Sequence, residues 1–214
     1  MGKIRVLVAD DHTIVRESLV ALLQGDDDVQ VVAQAADGLE ALEKAAATHP
    51  DVVITDLTMP GLNGIEIVRR LSETLPKARV LVLTMHQEDE YVLQAVRAGA
   101  SGYLVKDSAA SELLAAVHGL HAGRSHFGAQ ASRALAEQLK HPERAVDDPY
   151  GRLTAREREV FHLIAEGRTT KEIASALDIS TKTAENHRSR VLAKLGVRNT
   201  AEVVRYALRR GLLD

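Results

Sequence analysis

The sequence contains no cysteine and no tryptophan, and only 3% of its 214 residues are aromatic. The lack of cysteine excludes disulfide bonds and thiolate-bound metal sites. No apolar run approaches the roughly 18 residues that a membrane-spanning helix requires, and the N-terminal MGKIRVLVAD is typical of a short strand rather than a secretory signal. With 45% hydrophobic and 27% charged residues, the composition is that of a soluble globular protein. We therefore expect a cytoplasmic protein without a membrane partner.

Charge is divided unevenly along the chain, although the net charge is only −3. Residues 1–124 carry 11 Lys+Arg and 18 Asp+Glu, whereas residues 151–214 carry 13 and 8. An acidic first part and a basic last part indicate two domains with different partners. The basic part could bind nucleic acid, although a solvated surface would explain the same excess.

Apolar and amphipathic segments alternate over the first 124 residues. Short runs rich in Val and Ile predict five strands, at 4–9, 29–35, 51–55, 79–84 and 102–105. Helical periodicity predicts five helices, at 13–24, 38–48, 63–75, 88–98 and 108–121. Such alternation is typical of βαβ units, which form a parallel sheet covered by helices on both faces. We predict an α/β domain over residues 1–124.

After Gly123 the strand pattern stops. Residues 125–150 predict a linker with one helix, FGAQASRALAEQLK, followed by a hinge, HPERAVDDPYG. Beyond it the chain shows only helical segments, and the first begins with a capping box of Thr154 and Glu157. Four short helices joined by short turns predict a small all-α helix-turn-helix domain over residues 151–214.

Polar side chains follow the predicted strands at the end of a parallel sheet where functional crevices lie. They are Asp10 and Asp11 after the first strand, Asp56 after the third, Thr84 at the end of the fourth and Lys106 after the fifth. Three neighbouring carboxylates repel one another, and Mg²⁺ would remove that conflict. A carboxylate beside Mg²⁺ can attack a phosphoryl group and form an acyl phosphate. We therefore interpret Asp56 as a nucleophile.

Taken singly, these residues have simpler explanations. Asp11 alone could cap the helix that follows it. Lys106 alone could be a solvated strand end, and Thr84 alone a β-branched strand residue. The occurrence of the whole set on the correct strand ends favours a functional site.

Four segments, VLVADDH, VVITDLTMPGLNG, VLVLTMH and GASGYLVKD, resemble the receiver domain of two-component response regulators over residues 3–122. The resemblance implies a five-stranded, flavodoxin-like sheet of strand order 2-1-3-4-5. It also implies that Asp56 accepts a phosphoryl group from a sensor histidine kinase. The Mg²⁺ ligands implied for this chain are Asp10, Asp11, Asp56 and the backbone carbonyl of Thr58.

The same resemblance assigns roles around the phosphoryl group. Thr84 and Lys106 would contact it, and Tyr103 matches an aromatic position that moves inward when the threonine shifts. Thr58, two residues after Asp56, occupies a position that tunes the rate of dephosphorylation in the family.

Three further segments, LTAREREVFHLIAEG, TKEIASALDIS and TAENHRSRVLAKLGV, resemble the LuxR-type helix-turn-helix. The two halves together resemble a response regulator of the NarL/FixJ subfamily. On the helix over 181–195, Ala184, Val191 and Leu195 form the predicted buried stripe. The opposite face would contact double-stranded DNA through Lys182, Thr183, Glu185, Asn186, Ser189, Arg190 and Lys194.

These predicted DNA contacts are of two kinds, contacts with bases and contacts with phosphates. Asn186 could pair with adenine and Glu185 with cytosine, whereas Lys182, Arg190 and Lys194 suit phosphates. Glu185 also opposes phosphate, and the family frequently has a basic residue there.

The last helix, with Val203, Val204, Tyr206 and Ala207, resembles the family's dimer element and implies a homodimer on DNA. Core packing explains its apolar side equally well.

The leading hypothesis is a DNA-binding transcriptional regulator switched by phosphorylation of Asp56. The alternative from another class is a Mg²⁺-dependent phosphohydrolase with an aspartyl intermediate. Such enzymes place a second acid two residues after the nucleophile, where this chain has Thr58, which does not serve readily as a general acid. We therefore expect no enzyme beyond slow self-dephosphorylation. A third hypothesis is a DNA-binding protein whose first domain acts independently of phosphorylation.

Overall fold

The computed structural model divides the chain into two compact units, Met1–Arg144 and Ala145–Asp214. It describes residues 2–59, 62, 64–108, 110–140, 149–209 and 212. Most of the predicted hinge HPERAVDDPYG therefore lies outside the described residues. Each unit has its own apolar core.

The first unit is built on a parallel sheet of order β2-β1-β3-β4-β5-β6. Its strands are β1 Ile4–Ala9, β2 Val29–Ala35, β3 Val52–Thr55, β4 Arg79–Thr84, β5 Gly102–Val105 and β6 His126–Phe127. The predicted order of the first five strands is confirmed. The sixth strand was not predicted, because two residues are too short to produce a periodic signal. A side chain at Gly102 would come within 2.7 Å of the His126 carbonyl oxygen, so glycine permits this close pairing.

Helices cover both faces of the sheet, as expected for strands that are apolar throughout. They are α1 Thr13–Gln24, α2 Gly38–Thr48, α3 Gly64–Thr74, α4 Asp89–Ala98, α5 Ala110–His121 and α6 Ala129–Lys140. α1 and α5 bury Leu23 and Leu120 on one face, whereas α2, α3 and α4 bury Ala45, Ile67 and Val92 on the other. Within the described part of the chain, no helix is both long and apolar enough to cross a membrane.

Helix α6 lies in the segment that the sequence assigns to a linker, yet it packs on the first unit. Ala131 and Ala134 are buried in the same apolar cluster as Tyr91 and Val92 of α4. The compact unit therefore extends past residue 124. Helical periodicity indicates an apolar side on this segment but does not identify the surface that covers it, which explains why the sequence did not reveal the contact.

The second unit contains four helices, α7 Ala155–Ala165, α8 Thr170–Ala176, α9 Thr181–Leu195 and α10 Thr200–Arg209. α7, α8 and α9 each begin after a residue whose hydroxyl accepts a hydrogen bond from a backbone N–H three residues later; these N-cap residues are Thr154, Thr169 and Ser180. The predicted capping box of Thr154 and Glu157 is present. The buried stripe on α9 is also confirmed, since Ala184, Val191 and Leu195 all lie in the core.

An ion pair ties α9 to the start of α7. The Lys194 Nζ lies 2.6 Å from Glu157 Oε2, and the Glu157 side chain is almost fully buried. Burial alone would raise the pKa of Glu157, but hydrogen bonds from Lys194 and from the Thr154 backbone outweigh that effect and lower it. The carboxylate is therefore charged in the folded unit.

We predict that Glu157→Gln lowers the free energy of unfolding of the second unit by about 1–3 kcal/mol at pH 7. Glutamine can still serve in the capping box, so the change removes the charge while keeping the cap. Because the pKa of Glu157 is lowered on folding, its contribution is complete above the ordinary glutamate pKa. It is lost as the pH falls through the folded-state pKa, and the two proteins should converge there.

Native-state hydrogen exchange of the α7 and α9 amides, at pH 7 and at decreasing pH, measures this difference. Glu172→Gln is the matched control, because Glu172 occupies the same position in the exposed capping box of α8. An equal loss of stability in both variants would show that the Lys194 pair contributes nothing specific.

Candidate functional site

The carboxyl ends of neighbouring strands bring the predicted polar residues to one rim of the sheet. Ala9 of β1 pairs with Thr55 of β3, so Asp10 and Asp56 emerge side by side. The Asp56 N–H donates to the Ala9 carbonyl oxygen at 3.0 Å, which fixes that alignment. Asp56 is only 5% exposed. Two carboxylates therefore lie almost dry at adjacent strand ends.

Lys106 compensates both carboxylates. Its Nζ lies 2.7 Å from Asp10 Oδ2 and 2.5 Å from Asp56 Oδ2. Burial by itself would lower the pKa of Lys106, but the hydrogen bonds that its ammonium donates to Asp10 and Asp56 outweigh that effect and raise the pKa. A charged ammonium between the two carboxylates offsets the cost of burying them.

A second group at the rim has the donor chemistry of a divalent-cation site. Ligand atoms of Asp10, Asp11, His12 and Asp56 all lie within 4.8 Å of one another. Three carboxylates from two strand ends fit Mg²⁺, which prefers oxygen ligands and keeps part of its water shell. His12 was not predicted here, and its Nδ1 lies 2.8 Å from Asp11 Oδ1. The role of the Thr58 carbonyl stays a prediction.

The turn after Asp56 is held tightly against the site. The Leu57 N–H donates to Asp56 Oδ1 at 2.6 Å, and the Gly64 N–H donates to the Leu57 carbonyl at 2.8 Å. A Cβ at Gly64 would lie 2.0 Å from the Asp56 carbonyl oxygen, so only glycine fits there. This contact explains why a glycine closes the TDLTMPGLNG segment.

Sequence reasoning missed His86, which connects Thr84 at the rim to Tyr91 of helix α4. Its Nε2 lies 3.1 Å from Thr58 Oγ1, its N–H donates to Thr84 Oγ1 at 3.2 Å, and its ring lies 4.4 Å from that of Tyr91. Its carbonyl accepts the Tyr103 hydroxyl at 3.1 Å. The sequence could have indicated His86 as a site residue, since it is the last residue of the VLVLTMH motif and lies two residues after Thr84.

Tyr103, predicted to be the aromatic switch residue, is buried in this structure. It is only 2% exposed, and its hydroxyl donates to the His86 carbonyl. Burial raises the pKa of this phenol well above its ordinary value, so the hydroxyl remains a donor. The movement of Tyr103 with Thr84 stays a prediction.

Most of the residues predicted to contact DNA are exposed on α9. They are Lys182, Thr183, Glu185, Asn186, Ser189 and Arg190. Lys182 Nζ lies 3.7 Å from Glu185 Oε2, but both side chains are largely exposed, and such a surface pair holds neither of them firmly. Thr183 also takes part in the N-cap, because its N–H donates to Ser180 Oγ at 3.1 Å.

Lys194 has partners on other elements of the unit, and its contact with DNA stays a prediction. Its Nζ is bonded to Glu157 and to the Arg152 carbonyl oxygen, so it joins helices within the unit. The head group of Arg188 likewise donates within the unit, to Thr200 Oγ1 at the start of α10. Both cations reach partners that helical periodicity alone does not indicate.

The apolar side of α10 packs into the core. Val203, Tyr206 and Ala207 are buried, and the Tyr206 hydroxyl accepts the Tyr150 N–H at 3.2 Å. Leu208 remains about half exposed on the outer side. A second copy of the chain could thus meet only the outer side of this helix.

Comparisons with known proteins agree with both units. Residues 6–118 match the response regulator receiver domain, and residues 152–207 match the bacterial regulatory proteins of the luxR family. The chain is 37% identical to the oxygen regulatory protein NreC of Staphylococcus haemolyticus, over 98% of this chain and 99% of that protein.

Solved structures give the same result. The response regulator ChrA of a heme-sensing two-component system is 35% identical, with a TM-score of 0.55 over 100% of both chains. The response regulator RcsB in complex with DNA is 29% identical, with a TM-score of 0.60 over 96% of this chain and 98% of that one. The chain therefore belongs to the NarL-type response regulators, DNA-binding transcriptional regulators in which a receiver domain precedes a helix-turn-helix domain of the luxR family.

Proposed function

We propose that phosphorylation of Asp56 by a sensor histidine kinase, in the presence of Mg²⁺, switches this transcriptional regulator. The observation that carries the proposal is the ammonium of Lys106 between the buried carboxylates of Asp10 and Asp56. An ammonium in this place compensates the negative charge of the Asp56 carboxylate, which is the nucleophile of the proposed reaction.

In the proposed transfer, an oxygen of Asp56 attacks the phosphorus of the kinase phosphohistidine. The P–N bond breaks, the electron pair stays with the imidazole and an acyl phosphate forms. Lys106 then moves from the carboxylate to a phosphoryl oxygen, and the Thr84 hydroxyl donates to another. Asp10, Asp11 and Asp56 would hold Mg²⁺, which would supply positive charge to offset that of the phosphoryl oxygens.

The alternative of a phosphohydrolase has little support in the site. The Thr58 hydroxyl is hydrogen bonded to His86 and is a poor proton donor to a leaving group. We infer that hydrolysis of the acyl phosphate is limited to slow self-dephosphorylation.

The DNA-binding part of the proposal concerns the outward face of α9. In the major groove, Asn186 would pair with adenine and Glu185 would accept from cytosine, while Lys182 and Arg190 would contact phosphates. The related RcsB has been solved as a DNA complex, which supports the same use of this unit. We infer that two copies bind DNA together.

Intact-mass measurement after incubation with acetyl phosphate and Mg²⁺ tests the phosphorylation site. We expect the wild-type chain to gain one phosphoryl group and Asp56→Asn to gain none, because an amide is a poor nucleophile. A chelator should prevent the gain in the wild type. Asp107→Asn is the control, since Asp107 is an exposed carboxylate next to Lys106 and should behave as the wild type. Modification of Asp56→Asn to the wild-type level would contradict the assignment.

The salt dependence of DNA binding separates phosphate contacts from structural cations. For one fixed duplex, Arg190→Gln should reduce the slope of log K against log salt by about 1. Lys194→Gln should leave that slope unchanged, because the Lys194 ammonium is bonded within the unit. Fluorescence anisotropy over a range of salt concentrations measures both slopes. Equal slopes for the two variants would show that Lys194 contacts a DNA phosphate as Arg190 does.

The base preference of the DNA-binding unit tests the proposed contact of Asn186 with a base. Asn186→Ala should lose about 1–3 kcal/mol of discrimination at one adenine of a duplex selected from a random library. Preferences at the other positions should stay as they are. Repeating the selection with the variant measures the change, and an unaltered preference would exclude Asn186 as a base contact.

A further inference from the structure

The rim that carries Asp56 also carries a nitrogen donor that the resemblance to receiver domains does not imply. His12 follows directly after Asp10 and Asp11, and its Nδ1 lies 2.8 Å from Asp11 Oδ1 and 3.5 Å from Asp10 Oδ1. A ring nitrogen of His12 and one oxygen from each of the three carboxylates lie within 4.8 Å of one another. The rim therefore brings an imidazole to the same place as its carboxylates.

Local structure holds His12 at the rim without using its ring. The His12 N–H donates to Asp10 Oδ1 at 2.9 Å, which ties its backbone to a carboxylate of the site. His12 is also the N-cap residue of α1, but its side chain makes no capping hydrogen bond. The side chain is 66% exposed, so packing does not fix the ring. The imidazole can therefore turn toward a cation at the rim.

A shared cation explains the approach of His12 to Asp11 better than a hydrogen bond does. Asp11 Oδ1 is buried and accepts no hydrogen bond from any residue that the structure describes, although His12 Nδ1 is 2.8 Å away. Two ligands that bind a cation at right angles, each at about 2.1 Å, lie about 3 Å from each other. The separation of Nδ1 and Oδ1 agrees with one edge of such a coordination shell.

The charge and the donor types at the rim indicate which cations fit. The site holds the three carboxylates of Asp10, Asp11 and Asp56. The ammonium of Lys106 compensates one of these charges, so two negative charges remain for a divalent cation to balance. Oxygen donors alone favour Mg²⁺, whereas an imidazole nitrogen favours first-row transition metals such as Co²⁺, Ni²⁺ and Zn²⁺. With His12 included, the set suits the second class as well.

We propose that His12 is a ligand of the cation site, and that it allows the receiver unit to bind a first-row transition metal ion through imidazole nitrogen as well as carboxylate oxygen. This inference rests on the cation site of the proposed function and adds a ligand to it. The transition metal ion competes with Mg²⁺ for Asp10, Asp11 and Asp56. A transition metal thereby acts on the same site as the kinase.

Isothermal titration calorimetry on the untagged full chain compares the affinities for Co²⁺ and Mg²⁺. We expect His12→Gln to weaken Co²⁺ binding at least about tenfold, because the nitrogen ligand is lost, and to leave Mg²⁺ binding within about twofold of the wild type. His121→Gln is the matched control, since His121 is the exposed last residue of α5 and should behave as the wild type.

Proton NMR of the Co²⁺-loaded chain identifies the ligand directly. An imidazole that binds Co²⁺ through Nδ1 keeps a proton on Nε2, and the paramagnetic ion shifts the resonance of this exchangeable proton far downfield. We expect one such resonance in the wild type and in His121→Gln, and none in His12→Gln. This readout does not depend on phosphorylation, and a structural role of His12 would not produce it.

The same measurements separate the possible failures. If His12→Gln keeps the Co²⁺ affinity and the spectrum of the wild type, His12 is no ligand, and the cation site of the proposed function still stands. If His12→Gln weakens Co²⁺ and Mg²⁺ equally, and the wild type shows no shifted resonance, His12 only supports the fold of the rim and the inference is overturned. A wild-type chain that binds neither cation overturns the cation site itself, and this inference with it.

Discussion

The ammonium of Lys106 between Asp10 and Asp56 is the interaction on which the receiver unit depends. Two carboxylates and one ammonium sit nearly dry at the ends of β1, β3 and β5. Charges buried in this way are costly unless each has a partner in good geometry. The three strand ends must therefore stay in register, and the apolar strands beneath them supply the rigid support. Burial of the sheet on both faces and charge at its rim are two parts of the same arrangement.

That arrangement also ties chemistry at the rim to packing elsewhere. A change in charge on Asp56 acts first on the groups that touch the phosphoryl oxygens, which we infer to be Lys106 and Thr84. Thr84 holds His86, and His86 holds Tyr103 through its carbonyl. The Tyr103 hydroxyl is thereby connected to Thr84 at the rim through the segment that follows β4.

The sequence predicted the features that depend on long patterns or on chain order. Continuous runs such as IRVLVA identify buried parallel strands, and the polar residues after them fall at one rim because parallel strands end together. Features that depend on a partner distant in sequence were not predictable in this way. Strand β6 is too short for a pattern, and the contact of α6 depends on two small alanines. Lys194 illustrates the same limit, since helical periodicity places its Cα on a face but not its flexible side chain, which turned to Glu157.

The engagement of Lys194 changes the electrostatics expected for DNA binding. In the proposed DNA complex, the exposed face of α9 offers Lys182 and Arg190 to phosphates, while Glu185 repels them. Each phosphate contact adds to affinity through counterion release, so we infer that a single copy binds DNA weakly through this face. Two copies on neighbouring half-sites would double these contacts and supply the missing affinity. A domain that binds weakly alone and strongly as a pair is sensitive to whatever brings two copies together. We infer that the receiver unit can control DNA binding by changing how two copies associate, without any change in α9 itself.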